Sequence, residues 1–305
     1  MVKRNLIRFL FLGIVVLLAL PFNWGKLTGL SFWFSPFLML NSIFVLKSRV
    51  PLNIIGFIIL IIVWFKKRWF CNYLCPAGFL LNRAPHYKRF KTDVSILKVP
   101  LINKWLVIIS LGGALLGFPF FIFLDPILIF NGFFMVFFHP FHYNLLFLCA
   151  GFSLLLIVQF IVPGLWCERL CPPGGLQLII SELKGLASGS SSKSNKFDLG
   201  RRVFIGGTLG TLAAVALPKI VDPNNETVIR PPGSIENFNS LCIRCGSCIK
   251  ACPTQILKHN TMIGFGLLTP VVKFNDSYCL ENCNLCSVVC PSGSITLFSV
   301  ESKKY

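Results

Sequence analysis

Eight of the chain's 13 cysteines fall between residues 242 and 290, in two runs of nearly the same spacing. The first reads Cys242-x2-Cys245-x2-Cys248-x3-Cys252-Pro253 and the second Cys279-x3-Cys283-x2-Cys286-x3-Cys290-Pro291. Few chains are held to so narrow a set of folds, because thiols this close must turn inward around a shared centre. A zinc ion needs four ligands, usually supplied as two separated pairs. Disulfides among such near neighbours would be strained. Three thiolates at this spacing can instead wrap three corners of an iron–sulfur cube. In such runs the fourth cysteine ligates the other cluster. The expected ligand sets are therefore Cys242, Cys245, Cys248 and Cys290 for one [4Fe–4S] cluster, and Cys279, Cys283, Cys286 and Cys252 for the other.

These runs predict a small α+β two-cluster domain of the bacterial ferredoxin kind over 223–305. Its two halves are similar, Cys252-Pro253-Thr254-Gln255-Ile256 matching Cys290-Pro291-Ser292-Gly293-Ser294-Ile295 with one inserted residue. Val271-Val272-Lys273-Phe274 reads as a strand. So short a segment buries little apolar surface, so cluster ligation is expected to supply much of its folding free energy.

The remainder is apolar. Hydrophobic residues make up 54% of the chain and charged residues 13%, with mean hydropathy +0.73, against about 25% charge in a typical soluble domain. The net charge of +18 does not read as a nucleic-acid surface, because the basic residues cluster at the ends of apolar runs. Five runs, 5–22, 50–65, 104–124, 144–164 and 203–221, are expected as membrane spans. Lys3, Arg4 and Arg8 precede the first run, nine basic residues lie from Lys66 to Lys104, and six lie from Cys167 to Arg202. Segment 24–50 holds only three and segment 125–143 none. By the positive-inside rule the N-terminus would be cytoplasmic and the C-terminal domain periplasmic, on a bacterial inner membrane. The fold class expected is thus a membrane all-α four- to five-helix bundle with an internal two-fold repeat, plus the ferredoxin domain.

The repeat is visible in the residues. Trp69-Phe70-Cys71-Asn72-Tyr73-Leu74-Cys75-Pro76-Ala77-Gly78 echoes Leu165-Trp166-Cys167-Glu168-Arg169-Leu170-Cys171-Pro172-Pro173-Gly174. Upstream, Ser35-Pro36-Phe37-Leu38-Met39-Leu40-Asn41 echoes Asp125-Pro126-Ile127-Leu128-Ile129-Phe130-Asn131. Residues four apart share a helix face, so Cys71 pairs with Cys75 and Cys167 with Cys171, and symmetry would join the pairs into one four-thiolate site. Three readings stand for it: a further cluster or thiophilic metal, a reversible dithiol, or reduced structural thiols. The Pro/Asn motifs, with Pro36, Asn41, Pro126 and Asn131, mark broken backbone that must border protein or a cavity. A quinone head is the expected occupant. His139 and His142 lie just beyond, either to relay quinol protons or to anchor an interface.

Four segments follow: a four-span domain 1–181, a linker 182–200, a fifth span 201–222 and the ferredoxin domain 223–305. The Gly/Ser/Lys stretch from Ala187 to Lys196 reads as flexible. Arg201-Arg202-Val203-Phe204-Ile205-Gly206 looks like a twin-arginine export signal, which would carry a domain already folded around its clusters.

The two Cys-x3-Cys-Pro-x-Gly motifs resemble those of NapH-type membrane subunits of periplasmic nitrate reductase systems, a type with relatives in nitrous oxide reductase and methylamine dehydrogenase systems and among copper-oxidase assembly proteins. Arg201-Arg202, Arg230-Pro231-Pro232-Gly233 and Cys242-Ile243-Arg244-Cys245-Gly246 resemble the exported NapG-type ferredoxin. The resemblance implies a fusion of two components that are usually separate chains. It also implies a quinol dehydrogenase-like component, bound to membrane lipid and quinone, that passes electrons from quinol to a periplasmic redox protein. The alternative is a maturation or regulatory reductase for a periplasmic metalloenzyme. In this topology the cytoplasmic cysteines and the periplasmic clusters would stand about 30 Å apart.

Overall fold

The computed structural model describes residues 2–20, 27, 29–46, 53–83, 100–135, 143–162, 164–188, 193–221, 228–260, 266–274 and 277–303. His139 and His142 lie outside the described residues, as does part of the stretch read as a linker.

The N-terminal two-thirds is helical: α1 (Val2–Ala19), α2 (Pro36–Leu46), α3 (Asn53–Phe65), α4 (Trp69–Tyr73), α5 (Pro76–Arg83), α6 (Ile102–Leu115), α7 (Pro126–Met135), α8 (Tyr143–Ile161), α9 (Pro172–Ala187) and α10 (Lys193–Val221). A π-helical turn, Trp166–Leu170, precedes α9. Four of these helices, α2, α5, α7 and α9, begin at a proline, whose fixed φ suits a first turn where no amide donor is needed. The C-terminal domain adds α11 (Phe238–Leu241), α12 (Ser247–Ala251), α13 (Leu285–Val288) and one antiparallel pair, β1 (Leu257–His259) with β2 (Pro270–Val272). The expected strand thus starts one residue earlier than the sequence suggests. Lys273 lies beyond it, and its amide donates to Ile256 at 3.0 Å.

The membrane-spanning bundle is not what folds. Among the described residues no helix is long and apolar enough to cross a membrane. Most of the apolar runs are cut short or carry charge within their helices. Run 50–65 becomes the 13-residue α3, about 20 Å long. Run 104–124 becomes the 14-residue α6 and then turns at Gly117, whose φ is 87°. The 18 residues of α1 include Lys3, Arg4 and Arg8. The 29-residue α10 opens on polar residues and carries Arg201 and Arg202 within it. Hydropathy registered apolar content, but not where the helices stop.

What the apolar residues build is a common core, in which Val15, Phe32, Leu38, Val63, Phe70, Ile127, Phe130 and Trp166 pack together. Helix α10 lies close along α6: a Cβ on Gly210 would meet the Ile109 carbonyl at 2.3 Å, and one on Gly112 would meet the Gly207 carbonyl at 2.7 Å. Helix α6 is tied to α9 by the Lys104–Glu182 ion pair and to the π-helical turn by Asn103, whose amide donates to the Glu168 carbonyl at 3.0 Å.

Candidate iron–sulfur centres

The first cysteine run curls because two of its residues adopt left-handed backbone: Arg244 at φ 57° and Gly246 at φ 66°. Helix α12 then carries Cys248 inward, and Cys290 arrives from the other half just after α13. These four thiols line one cavity together with Phe238, Ile243 and Ile295. Cys279, Cys283, Cys286 and Cys252 line a second, with Pro232, Ile256 and Val272. Each cavity therefore draws three cysteines from one run and one from the other.

The donor chemistry fits the cubes. The eight cysteines of the cradles are free thiols, as are Cys71, Cys75, Cys167 and Cys171. In each cavity four thiols line one space, the donor number of a [4Fe–4S] cube. Burial pushes Cys242 up to about 12 and Cys245 up to about 11, and raises Cys248 well above the thiol range with help from repulsion by Cys245, Cys242 and Cys290. In the second cavity burial pushes Cys286 up to about 12, and its thiol neighbours add to the shift. Such thiols become thiolates only when cations offset their charge. Cys290 is prepared for that state: its Sγ accepts the Ile295 amide at 3.4 Å and lies 3.4 Å from the Ser294 hydroxyl.

The two cradles differ in setting. Ile243 and Cys245 pack into the helical core. Lys250 Nζ donates to the Ala19 carbonyl at the end of α1 at 3.1 Å, and the Ser240 hydroxyl donates to the Gly117 carbonyl at 2.8 Å. Gly29, at φ 85°, comes so near that an added Cβ would lie 2.7 Å from Ser247 Oγ. Cys252, Cys279, Cys283 and Cys286, by contrast, are all partly exposed. Tyr278 beside them is 69% exposed.

The two Cys-x3-Cys-Pro motifs also meet. Cys71 lies in α4, Cys167 in the π-helical turn, and Cys75 and Cys171 each stand immediately before a helix-opening proline. Cys75 and Cys171 are buried in the helical core, with Cys71 and Cys167 packed against it. Gln177 from α9 crosses between the motifs, its Nε2 donating to Cys71 Sγ at 2.9 Å, and Arg68 bridges to Glu168 at 3.2 Å. Neither Gln177 nor the Arg68–Glu168 pair was marked by sequence, since each joins residues about a hundred positions apart.

The Pro/Asn motifs hold each other. Asn41 Nδ2 donates to the Phe37 carbonyl and Asn131 Nδ2 to the Ile127 carbonyl, both at 2.8 Å. The hydroxyls of Ser110 and Ser31 donate to Asn41 Oδ1 and Asn131 Oδ1, at 2.9 and 3.3 Å. Ser35 and Asp125, the residues before Pro36 and Pro126, hydrogen-bond to each other. Their matching positions in the repeat were the available signal. Burial raises the Asp125 carboxyl to about 6.

Residues 241–303 match the family described as the 4Fe-4S dicluster domain. The chain is 40% identical to the ferredoxin-type protein NapG of Escherichia coli (strain K12) over 116 residues, which is 34% of this chain and 50% of NapG. It is 31% identical over 114 residues to the methylamine utilization ferredoxin-type protein MauM of Methylobacillus flagellatus, covering 35% of this chain and 47% of MauM. The chain thus spans about half the length of the curated relatives it matches. No solved structure matches it. The cysteine cradles and these likenesses agree: residues 241–303 form a 4Fe-4S dicluster domain, and about a third of the chain is similar to NapG- and MauM-type ferredoxin proteins.

Proposed function

We propose that electrons pass from a quinol, through the Cys242/Cys245/Cys248/Cys290 cluster and then the Cys279/Cys283/Cys286/Cys252 cluster, to a periplasmic redox protein. The observation that carries this order is the asymmetry of the cradles: the first is pressed into the helical core through Ile243 and Cys245, while the second opens outward. The [4Fe–4S] clusters, when bound, supply one-electron redox chemistry. The chain's own residues give it direction. The apolar core shields the first cradle from water and from indiscriminate donors, and exposed Tyr278, Leu280 and Leu297 offer an acceptor protein a docking face beside the second. Arg201-Arg202 within α10 supports delivery to the periplasm by the twin-arginine route.

The test uses the full chain, purified anaerobically and mixed with a reduced quinol analogue while the clusters are followed by electron paramagnetic resonance. Reduction of both clusters is expected, the second lost when Cys245 is replaced by Ser. Clusters that remain oxidised in quinol yet are reduced by dithionite would overturn the reading.

A further inference from the structure

We propose that Cys71, Cys75, Cys167 and Cys171 hold a third iron–sulfur centre in the helical core. The first reason is convergence. Two pairs separated by about a hundred residues meet, each thiol within electrostatic reach of the others. The second is that the backbone is shaped for sulfur. Cys75 stands at the start of α5, where the Gly78 amide donates to its Sγ at 3.3 Å, and Cys171 stands at the start of α9, opposite Gly174. Amide donors at a helix start favour a thiolate. A Cβ on Gly78 would lie 2.8 Å from the Cys71 carbonyl, and one on Gly174 would lie 2.8 Å from the Cys167 carbonyl. The glycine of each motif is thus what lets the chain fold back over its own cysteines.

The third reason is the side chain above the site. Gln177 is buried, gives its Nε2 to Cys71 Sγ, and leaves Oε1 with no hydrogen-bond partner. An amide spent this way is a ligand-orienting contact of the kind found around metal-bound groups. The two-fold relation of the pairs suits a cluster that each pair grips from one side. On ligation the four thiols release their protons and form four iron–sulfur bonds.

The position of the site fits a relay. Arg8 donates to the Asn72 carbonyl inside the first motif, and the Ala19 carbonyl accepts from Lys250 beside the first ferredoxin cradle. Helix α1 thus links the two sites over about 16 Å of helix axis, well short of the about 30 Å of a bilayer core. This role as a relay rests on the proposed function; the binding of a cluster does not.

The full-length chain, reconstituted anaerobically with ferrous iron and sulfide, is assayed for iron per chain. Two cubes account for about eight irons, and a total of ten to twelve is expected. The C71S/C167S variant should fall back to about eight, losing one paramagnetic signal and keeping the ferredoxin signals. The wild-type protein should also shield all four cysteines from iodoacetamide after reconstitution, a readout that survives if the variant fails to fold. About eight irons in the wild type, or ready alkylation of the four thiols, would overturn the proposal. Neither readout involves quinol, so its failure is separate from that of the electron route.

Discussion

The two ferredoxin cradles are built on nearly the same cysteine spacing and sit in opposite surroundings. Cys242, Cys248 and Cys290 are each 8% exposed, and the first cradle leans on α1, Gly29 and Gly117 of the helical part. The second carries four partly exposed cysteines and faces outward. Ligand spacing thus specifies that a cluster binds; what the cluster exchanges electrons with is set by residues far away in the chain. Lower exposure and a drier wall also tune a cluster's potential, so the pair is expected to titrate at two distinct potentials.

Replacing one ligand in each cradle tests this most strongly. Cys245→Ser and Cys283→Ser should each remove one cluster, about half the iron of the dicluster domain. Only Cys245→Ser should also raise amide exchange at the α1 and Gly29 contact, because only that cradle is seated there. Equal exchange in both variants would erase the distinction.

Asp125 probes the helical part, where it bonds to Ser35 and lies within electrostatic reach of Cys71 and Cys75. Its folded carboxyl is raised to about 6 from an ordinary 3.8, so the folded state holds the proton more tightly than the unfolded state. Its contribution to stability, about 3 kcal/mol, should be fully present below about pH 4 and lost as pH rises through 6. Asp125→Asn should flatten that slope in denaturant titrations at fixed pH. An unchanged slope would place the proton elsewhere.

Gly29→Ala should cost about 1–3 kcal/mol, since a left-handed backbone and the Ser247 hydroxyl both oppose a side chain there. Protease cleavage between the helical part and the dicluster domain would report the loosened contact, with the iron content intact. At the second cradle, Tyr278→Ser and Leu297→Ser should leave stability within about 0.5 kcal/mol while slowing electron delivery to an acceptor protein. Slower reduction of the clusters themselves would instead reverse the proposed order.

The cradles were legible in sequence because cluster ligands are local: three of every four lie within eight residues of one another. The fourth was expected from the other run, because in such runs the fourth cysteine ligates the other cluster. The helical part was harder to read. Apolar runs carry little information about where a helix stops, and the stops depend on residues such as Arg68, at φ 55°, and Phe121, at φ 60°, which adopt left-handed backbone without being glycine. The Pro/Asn motifs drew attention as a candidate quinone pocket. In the structure Asn41 and Asn131 spend their hydrogen bonds on helix carbonyls and serine hydroxyls, contacts that depend on a tertiary neighbour no periodicity reveals. Gln177 escaped notice for the same reason: glutamine in a helix is ordinary until a sulfur lies across from it.

Helix α1 touches Asn72 through Arg8 and Lys250 through its last residue, Ala19, which makes the stretch between them a ruler. Each residue inserted into it would lengthen the gap by about 1.5 Å and swing the far end by roughly a quarter turn. Tunnelling rates fall steeply with separation, so the length of this one rod, more than any side chain along it, would clock the traffic between the two ends of the molecule.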